Sequence, residues 1–346
     1  MLDANDSTIL ALAGTSPQLA GEAARVTGLS RVAVSRRIKR LADSGYLTRH
    51  GNGTRQTYSP GANRFWTLTQ SLEAISAAGG ESGIWEAHVA RVASDLRPNV
   101  ANIANICFTE MLNNAIDHSG ASEVCMGAHL YGGRLQMAVM DNGVGIFRKI
   151  AQASRLFDIR LAVLELAKGK YTTAHEGHSG MGIFVASRML DGFMVHSGGL
   201  SFAPKSPQGV DLSFSWIAPY RYANGTVVLM DLDTATDRTA QSVYEQYFFP
   251  DEVGGDAFHT TEIPVKHAQL SSQLTSRSQG KWVMERAPQF KTVILDFEGV
   301  EMVGQAFVDE VFRVFATAHP EVQLVPRHVS PDVARMIKLF APHVVW

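Results

Sequence analysis

Three stretches decide the fold of the central segment: Phe108-Thr-Glu-Met-Leu-Asn-Asn-Ala-Ile-Asp-His118, Asp141-Asn-Gly-Val-Gly-Ile146 and Ser179-Gly-Met-Gly-Ile183. The first predicts a helix with one polar face. The second follows an apolar run and supplies an acid and two glycines. The third is a glycine pair that opens another apolar helix, and such a helix start binds phosphate groups well.

The first stretch separates polar from apolar residues at helical spacing. Glu110, Asn114 and Asp117 are four and three residues apart and share one face. Beside them runs an apolar stripe of Val100, Ala104, Cys107, Phe108, Met111 and Ala115. The helix can therefore pack on a sheet and present a polar set to a cleft: Glu110, Asn113, Asn114, Asp117 and His118. A carboxylate and an amide one turn apart suit Mg²⁺, and Glu110 could also accept a proton from an attacking water or hydroxyl.

The other two stretches supply groups for a base and for phosphates. Residues 134–140 alternate well enough for a half-buried strand, so Asp141 stands at a strand end and can accept from an exocyclic amine such as that of adenine. Gly143 and Gly145 allow the backbone to approach a flat ring closely. A lone Asp-Asn-Gly is most often a turn, and a lone Gly-x-Gly before a helix says little. The ordered triple is much more specific.

This triple resembles the N box and the two glycine boxes of the GHKL ATPase/kinase superfamily, which includes gyrase, heat-shock chaperones, mismatch-repair ATPases, sensor histidine kinases and anti-sigma-factor kinases. The resemblance implies a Bergerat-type α/β sandwich over 82–234 that binds ATP and Mg²⁺. It assigns Asn114 to Mg²⁺, Asp141 to adenine, and Glu110 to the general base and, through water, to the metal. Thr226 resembles the last-strand Thr that reaches the base through water. The other nucleotide-binding positions it implies are Asn113, Asp117, His118, Gly143, Val144, Gly145, Ile146, His178, Ser179, Gly180, Met181, Gly182 and Ile183.

Between the glycine boxes, residues 147–178 would form the lid over the nucleotide. A helical stretch over 158–166 is followed by Lys168-Gly-Lys-Tyr-Thr-Thr173. Lys170, Thr172 and Thr173 could reach the phosphates when the lid closes. A solvated loop is an equally good interpretation.

The composition predicts a multidomain soluble protein. The chain has 346 residues, of which 45% are hydrophobic and 18% charged, and its net charge is −2. No apolar run is long enough to span a membrane, and residues 1–6 lack a basic leader, so a cytoplasmic location is expected. Cys107 and Cys125 fall on apolar elements and are expected to be buried reduced thiols.

The N-terminal segment, residues 1–60, is basic, with eight Lys/Arg against four Asp/Glu. Its pattern is helix, helix, turn, helix, hairpin. Ser16 is expected to cap the second helix, Gly28 to make the turn and Ser30 to cap the third helix; the hairpin strands are expected over 46–50 and 54–58. On the third helix the inward positions are Val34, Ile38 and Leu41.

This segment resembles the winged helix-turn-helix of bacterial transcription regulators. The resemblance implies binding of duplex DNA through outward positions of the third helix and through the wing: Arg31, Ser35, Arg36, Lys39, Arg49 and Arg55. The alternative is a small helical packing module with a solvated basic face. Residues 61–81 are expected to be a helical connector, because Phe65, Trp66, Leu68, Leu72 and Ile75 have near-helical spacing.

The C-terminal segment, residues 239–346, alternates helices and strands. Helices are expected over 240–247 and 304–316, and strands over 291–297 and 322–325. The run Val293-Ile-Leu-Asp-Phe-Glu-Gly-Val300 before a helix resembles the STAS domain of anti-anti-sigma factors. Phosphorylated STAS domains carry Ser or Thr at the start of that helix, whereas this chain has Gly304-Gln305-Ala306. A docking, dimerising or ligand-sensing module is therefore favoured.

Two functions fit the whole sequence. One is a cytosolic, nucleotide-controlled DNA-binding transcription regulator that forms homodimers or binds a protein partner through the STAS-like segment. The other is a GHKL ATPase, or a Ser/Thr protein kinase of the anti-sigma-factor-kinase type, that acts on a partner protein.

Overall fold

The structure, a computed structural model, describes residues 2–13, 15–52, 56–170, 180–204, 222, 224–250, 256–270, 273–342 and 344. These residues form two compact units, each described by itself below. The first comprises Met1–Gly145, Met189–Gly199 and Lys205–Thr239; the second comprises Ile146–Arg188, Leu200–Pro204 and Ala240–Trp346. Among the described helices, none has the length and apolar character needed to cross a membrane.

The first unit begins with three helices and a hairpin, as predicted. The helices are α1 (Ala4–Leu12), α2 (Leu19–Thr27) and α3 (Arg31–Asp43), and the antiparallel strands are β1 (Leu47–His50) and β2 (Thr57–Pro60). Gly28 ends α2 in the left-handed conformation, with φ of 72°. The Ser30 side chain caps α3 by accepting from Ala33 N at 3.2 Å. The expected cap at Ser16 is wrong, because α2 begins after Gln18.

Two acids at the start of α1 form ion pairs with two arginines of α3. The carboxylate of Asp6 is fully buried and accepts from Arg37 at 2.8 Å and from Arg40 at 2.6 Å. Asp3 also accepts from Arg37, which keeps the pKa of the Asp3 carboxyl below its usual value although burial opposes this. Arg37 and Arg40 are thus occupied within the domain.

The rest of the first unit is an antiparallel sheet with helices. Its strands lie in the order β3 (Arg64–Ser71), β4 (Glu123–Tyr131), β5 (Arg134–Asp141), β8 (Thr226–Asp233) and β6 (Gly192–Ser197). The helices are α4 (Leu72–Ala77), α5 (Gly80–Ile84, continued through Trp85–Val89 and Ala90–Val92) and α6 (Pro98–His118). The predicted apolar stripe of α6 is entirely buried, and α6 packs against β5 and β8.

The predicted helical connector over 61–81 is wrong in its first half. Residues 64–71 form β3, which pairs with the whole of β4, and the helix α4 begins only at Leu72. Phe65 and Trp66 are both buried although they point to opposite faces of the strand. Two consecutive buried aromatics hide the alternation by which a strand is usually recognised.

The three-helix segment and the sheet share one hydrophobic core. Ile9, Ile38 and Leu41 of the helices belong to the same buried cluster as Phe65, Met140 and Leu229 of the sheet. Polar contacts join the same two parts: Thr67 N donates to Ser7 Oγ at 3.2 Å, and Tyr46 Oη lies 2.7 Å from His129 Nε2. The N-terminal domain is therefore fixed on the sheet.

The second unit contains chain segments that precede and follow the second glycine box, Ser179-Gly-Met-Gly-Ile183. Its helices are α7 (Ile146–Ala153), α8 (Leu161–Ala167), α9 (Gly182–Met189), α10 (Ala240–Tyr247), α11 (Arg277–Met284), α12 (Gln305–Asp309, continued through Glu310–Phe315 and Ala316–Ala318) and α13 (Pro331–Phe340). Its strands are β7 (Leu200–Phe202), β9 (Phe248–Pro250), β10 (Asp256–Phe258), β11 (Thr260–Pro264), β12 (Thr292–Asp296) and β13 (Gln323–Arg327).

A three-stranded parallel sheet, β11-β12-β13, is the centre of the C-terminal segment. The predicted helices over 240–247 and 304–316 and both predicted strands are confirmed within a few residues. Gly304 precedes α12 because space is short: a Cβ atom there would lie 2.8 Å from Thr275 Cα. The glycine in the position of the usual phosphorylated residue therefore has a packing reason.

Candidate nucleotide-binding site

The polar face of α6 is accessible, as predicted. Glu110 and Asp117 are exposed, and Asn113, Asn114 and His118 are half-buried, while the opposite face is buried in the unit. Glu110 and Asn113 also border a cavity of about 260 Å³, whose other lining residues include Glu81 and Ser82 of α5. The carboxylate of Glu110 thus faces polar space into which water can enter.

Asp141, at the end of β5, is the most constrained acid of the predicted site. It is 4% exposed, and its Oδ1 accepts from Gly143 N at 2.8 Å and from Thr226 N at 3.3 Å. Burial raises the pKa of the Asp141 carboxyl, and the hydrogen bonds from Gly143 and Thr226 oppose that shift. Thr226 is the cross-strand partner of Asp141 in the register of β5 with β8, so the structure brings these two predicted residues together.

Glycines surround Asp141 because the chain is crowded there. A Cβ on Gly143 would lie 2.2 Å from Ser119 O, and a Cβ on Gly225 would lie 2.0 Å from Asp141 O. Gly145 has a left-handed φ of 84°, and a Cβ there would lie 2.6 Å from Ser197 Oγ. The glycines are therefore needed for the fold around the acid, whether or not a ring approaches them. Val144 is half exposed, and its N–H donates to Ser119 O at 3.0 Å.

Neighbours of this loop were not identified from the sequence. Ser119 and Ser197 are buried hydroxyls that accept or donate within it: Ser197 Oγ donates to Gly225 O at 2.6 Å, and Ser119 Oγ donates to Ala115 O. Single serines outside any motif carry no signal in a sequence, so only the structure identifies them.

The second glycine box lies in the second unit. Gly180, Met181, Gly182 and Ile183 are partly exposed, and α9 begins at Gly182 and is buried from Phe184 onward. Its first turn carries no acidic side chain, so its N–H groups and helix dipole keep a positive potential there. Ile146, the last residue of the first glycine box, opens α7 in the same unit.

Lys170 is engaged elsewhere in the second unit. Its ammonium donates to Gln289 O at 2.8 Å and lies 4.8 Å from the centre of the Phe290 ring. We therefore leave Lys170 out of the proposed phosphate contacts. Of the other predicted positions, Thr172, Thr173, His178, Ser179 and Arg55 lie outside the described residues.

The predicted outer face of α3 is exposed as expected. Arg31, Ser35, Arg36 and Lys39 are all exposed, and so is Arg49 on the first hairpin strand. The inward positions Val34, Ile38 and Leu41 are buried. Two basic side chains of α3, Arg37 and Arg40, pair with acids at the start of α1, and Arg40 is partly exposed as well. The exposed set that remains comprises Arg31, Arg36 and Lys39.

Family models match three segments of the chain. Residues 3–56 match the MarR family, residues 101–221 match the histidine kinase-, DNA gyrase B- and HSP90-like ATPase family, and residues 279–334 match a STAS-like domain of unknown function (DUF4325). The chain combines a MarR-like winged helix, a GHKL-type ATPase domain and a STAS-like domain. A search of curated proteins found no match. The ATPase match includes most of α6 and the whole of both glycine boxes.

Proposed function

We propose that this protein is an ATP-binding, DNA-binding transcription regulator whose nucleotide state controls its DNA affinity. The observation that carries the proposal is the geometry of Asp141: a buried carboxylate at a strand end, oriented by Gly143 N and paired in register with Thr226. A carboxylate held in this way can accept a hydrogen bond from the exocyclic amine of adenine. The family match over residues 101–221 supports the same ligand class.

In this proposal the accessible face of α6 binds the metal and phosphates. Asn114 would provide an amide oxygen to Mg²⁺, and Glu110 would contact the metal through water, with Asn113, Asp117 and His118 beside them. The positive end of α9, at Gly180–Gly182, would bind phosphate oxygens. Bound Mg²⁺ would neutralise phosphate charge, and the residues of α6 would orient the ion.

DNA binding is assigned to the exposed basic set of α3 and the wing. Among the described residues, Arg31, Arg36, Lys39 and Arg49 form no ion pair, unlike Arg37 and Arg40, and they lie on a domain that matches the MarR family. Arg36→Ala should weaken binding to duplex DNA across sequences and lower the salt slope by about one. Arg25→Ala is the matched control, because Arg25 is an exposed arginine of α2 that pairs only weakly with Glu22 at 3.9 Å.

The link between ATP and DNA cannot be a swinging connector, because the winged helix shares its core with the sheet that carries Asp141. We expect nucleotide to act by changing the arrangement of protomers, with a coupling of about 1–3 kcal/mol. Titration of DNA with and without an ATP analogue tests this, and DNA must change ATP affinity by the same factor. Equal affinities in both titrations would refute the control mechanism while leaving each binding activity intact.

A second function is favoured by one observation: Glu110 is exposed beside a polar cavity. That placement suits a general base for hydrolysis or for phosphoryl transfer to a partner hydroxyl. Measurement of ADP release in the presence and absence of DNA separates a slow switch from a working ATPase or kinase.

A further inference from the structure

One residue of the lid is a lysine whose side chain is completely buried. Lys168 follows α8, and its ammonium donates to Glu165 Oε1 at 2.6 Å, to Trp282 O at 2.6 Å and to Glu285 O at 2.9 Å. All three N–H donors of the ammonium are therefore satisfied, which is what a buried charge requires. Both carbonyl acceptors belong to the C-terminal end of α11, where the helix dipole favours a cation.

An arginine of the STAS-like segment makes the reciprocal contacts. Arg286 donates to Gly169 O at 2.8 Å and to Lys170 O at 2.6 Å, and its other nitrogen lies 3.2 Å from Glu165 Oε2. It adopts a left-handed φ of 65°, uncommon for a residue with a Cβ. The lid lysine thus satisfies carbonyls at the end of a STAS-like helix, and the STAS-like arginine satisfies carbonyls after a lid helix.

Further contacts within the same unit strengthen this attachment. Thr261 Oγ1 donates to Lys168 O at 2.7 Å, and Arg188 of α9 pairs with Glu262 of β11 at 3.2 Å. The helix that follows the second glycine box is therefore attached to the STAS-like sheet as well. Consistent with this, residues 146–188 fall in one compact unit with residues 240–346.

Separation of the lid from the STAS-like segment would break the hydrogen bonds of Lys168 to Trp282 O and Glu285 O, and those of Arg286 to Gly169 O and Lys170 O, all together. The described part of the lid should therefore move together with the STAS-like segment. We propose that the STAS-like domain regulates the nucleotide lid. A molecule bound to the STAS-like domain would then change ATP affinity through Glu165, Lys168 and Arg286. This rests on the proposed ATP site, and it gives the domain a role that needs no phosphorylated residue at Gly304.

The test uses the full chain and a neutral variant, Glu165→Gln/Lys168→Met/Arg286→Met, which removes all three charges together and leaves none unpaired. The matched control is Arg277→Met/Asp309→Asn, which removes the ion pair of 3.3 Å between α11 and α12 and also the pair of Asp309 with Arg313 within α12, neither of which touches the lid. Circular dichroism verifies folding of both. ATP affinity is measured by calorimetry, and hydrogen exchange is followed at residues 161–170 and 282–290 with and without an ATP analogue.

In the wild type and in the control, the analogue should change exchange in both segments together. In the neutral variant the response at 282–290 should be lost, and ATP affinity should shift by about fivefold or more, the lower end of usual coupling factors. Unchanged affinity together with an intact response at 282–290 would overturn the proposal while the ATP site stands. Absence of ATP binding by the wild type would instead overturn the proposed function itself, and this inference with it.

Discussion

From the contact between the winged helix and the sheet we predict how the stability of the first unit depends on pH. His129 of β4 stacks on Tyr46 with ring centres 5.9 Å apart, and on Tyr131 at 5.7 Å, and Phe65 meets its edge. Burial in this cluster lowers the pKa of His129 to about 4 from its ordinary value of 6.5. Burial also raises the pKa of Tyr46 to about 12, so its hydroxyl stays protonated.

The sign of the effect follows from where the protons bind. Below pH 6.5 the unfolded chain protonates this histidine, while the folded protein keeps it neutral until the pH nears 4. The stability contribution is therefore complete above pH 6.5 and is lost as the pH falls toward 4. Between pH 7 and pH 5 the free energy of unfolding of this unit should fall by about 2 kcal/mol because of His129.

The change in the free energy of unfolding is measured by urea unfolding at pH 7 and pH 5, monitored by pulsed hydrogen exchange of residues 123–141. His129→Gln should remove about 2 kcal/mol of the pH dependence. Tyr46→Phe should leave most of it, because burial and not the hydroxyl causes the shift. Equal pH dependence in the wild type and His129→Gln would refute the buried, neutral state of this histidine.

The other predictions concern the site and its support. Gly143→Ala should destabilise the first unit by about 1–3 kcal/mol and weaken ATP binding, because the new methyl would lie 2.2 Å from Ser119 O. Thermal unfolding checks it, with Gly21→Ala as the control without a clash, because the nearest atom there is the end of the Arg31 side chain at 3.9 Å. Glu110→Gln should keep ATP affinity but lower any hydrolysis by about 10²-fold, and unchanged turnover would exclude it as the base. Asp6→Asn should destabilise the winged helix by about 1–2 kcal/mol, since it removes the buried charge that pairs with Arg37 and Arg40, both of which are partly exposed; an unchanged urea midpoint would contradict this.

Periodicity predicted the elements whose two faces differ strongly. The stripe of α6 and the inward positions of α3 were correct, because each helix has one buried and one solvated face. Ser30 was correctly predicted as a cap, since a cap depends only on its neighbours in the chain. These features depend only on residues close together in the chain, so the sequence alone predicts them.

The sequence misleads, or gives no signal, where contacts between residues far apart in the chain determine the structure. β3 was predicted as a helix because Phe65 packs toward the winged-helix core while Trp66 lies near Phe108, which buries both faces of the strand. The phosphate role of Lys170 stays a prediction, and the sequence gives no sign that its ammonium donates to Gln289 O, because that acceptor is far away in the chain. The buried Lys168 was not recognised for the same reason: its carbonyl partners at Trp282 and Glu285 lie more than a hundred residues away.

The central claim is that Asp141 recognises the exocyclic amine of adenine. The most direct measurement compares ATP with inosine triphosphate, which has a carbonyl in place of that amine, by calorimetry with Mg²⁺ on the wild type and on Asp141→Asn. A hydrogen bond to a charged group contributes about 1.5–3 kcal/mol, so the wild type should prefer ATP by roughly tenfold or more, and the variant should lose most of that preference. Equal affinity of the wild type for the two nucleotides, or binding of neither, would contradict the account.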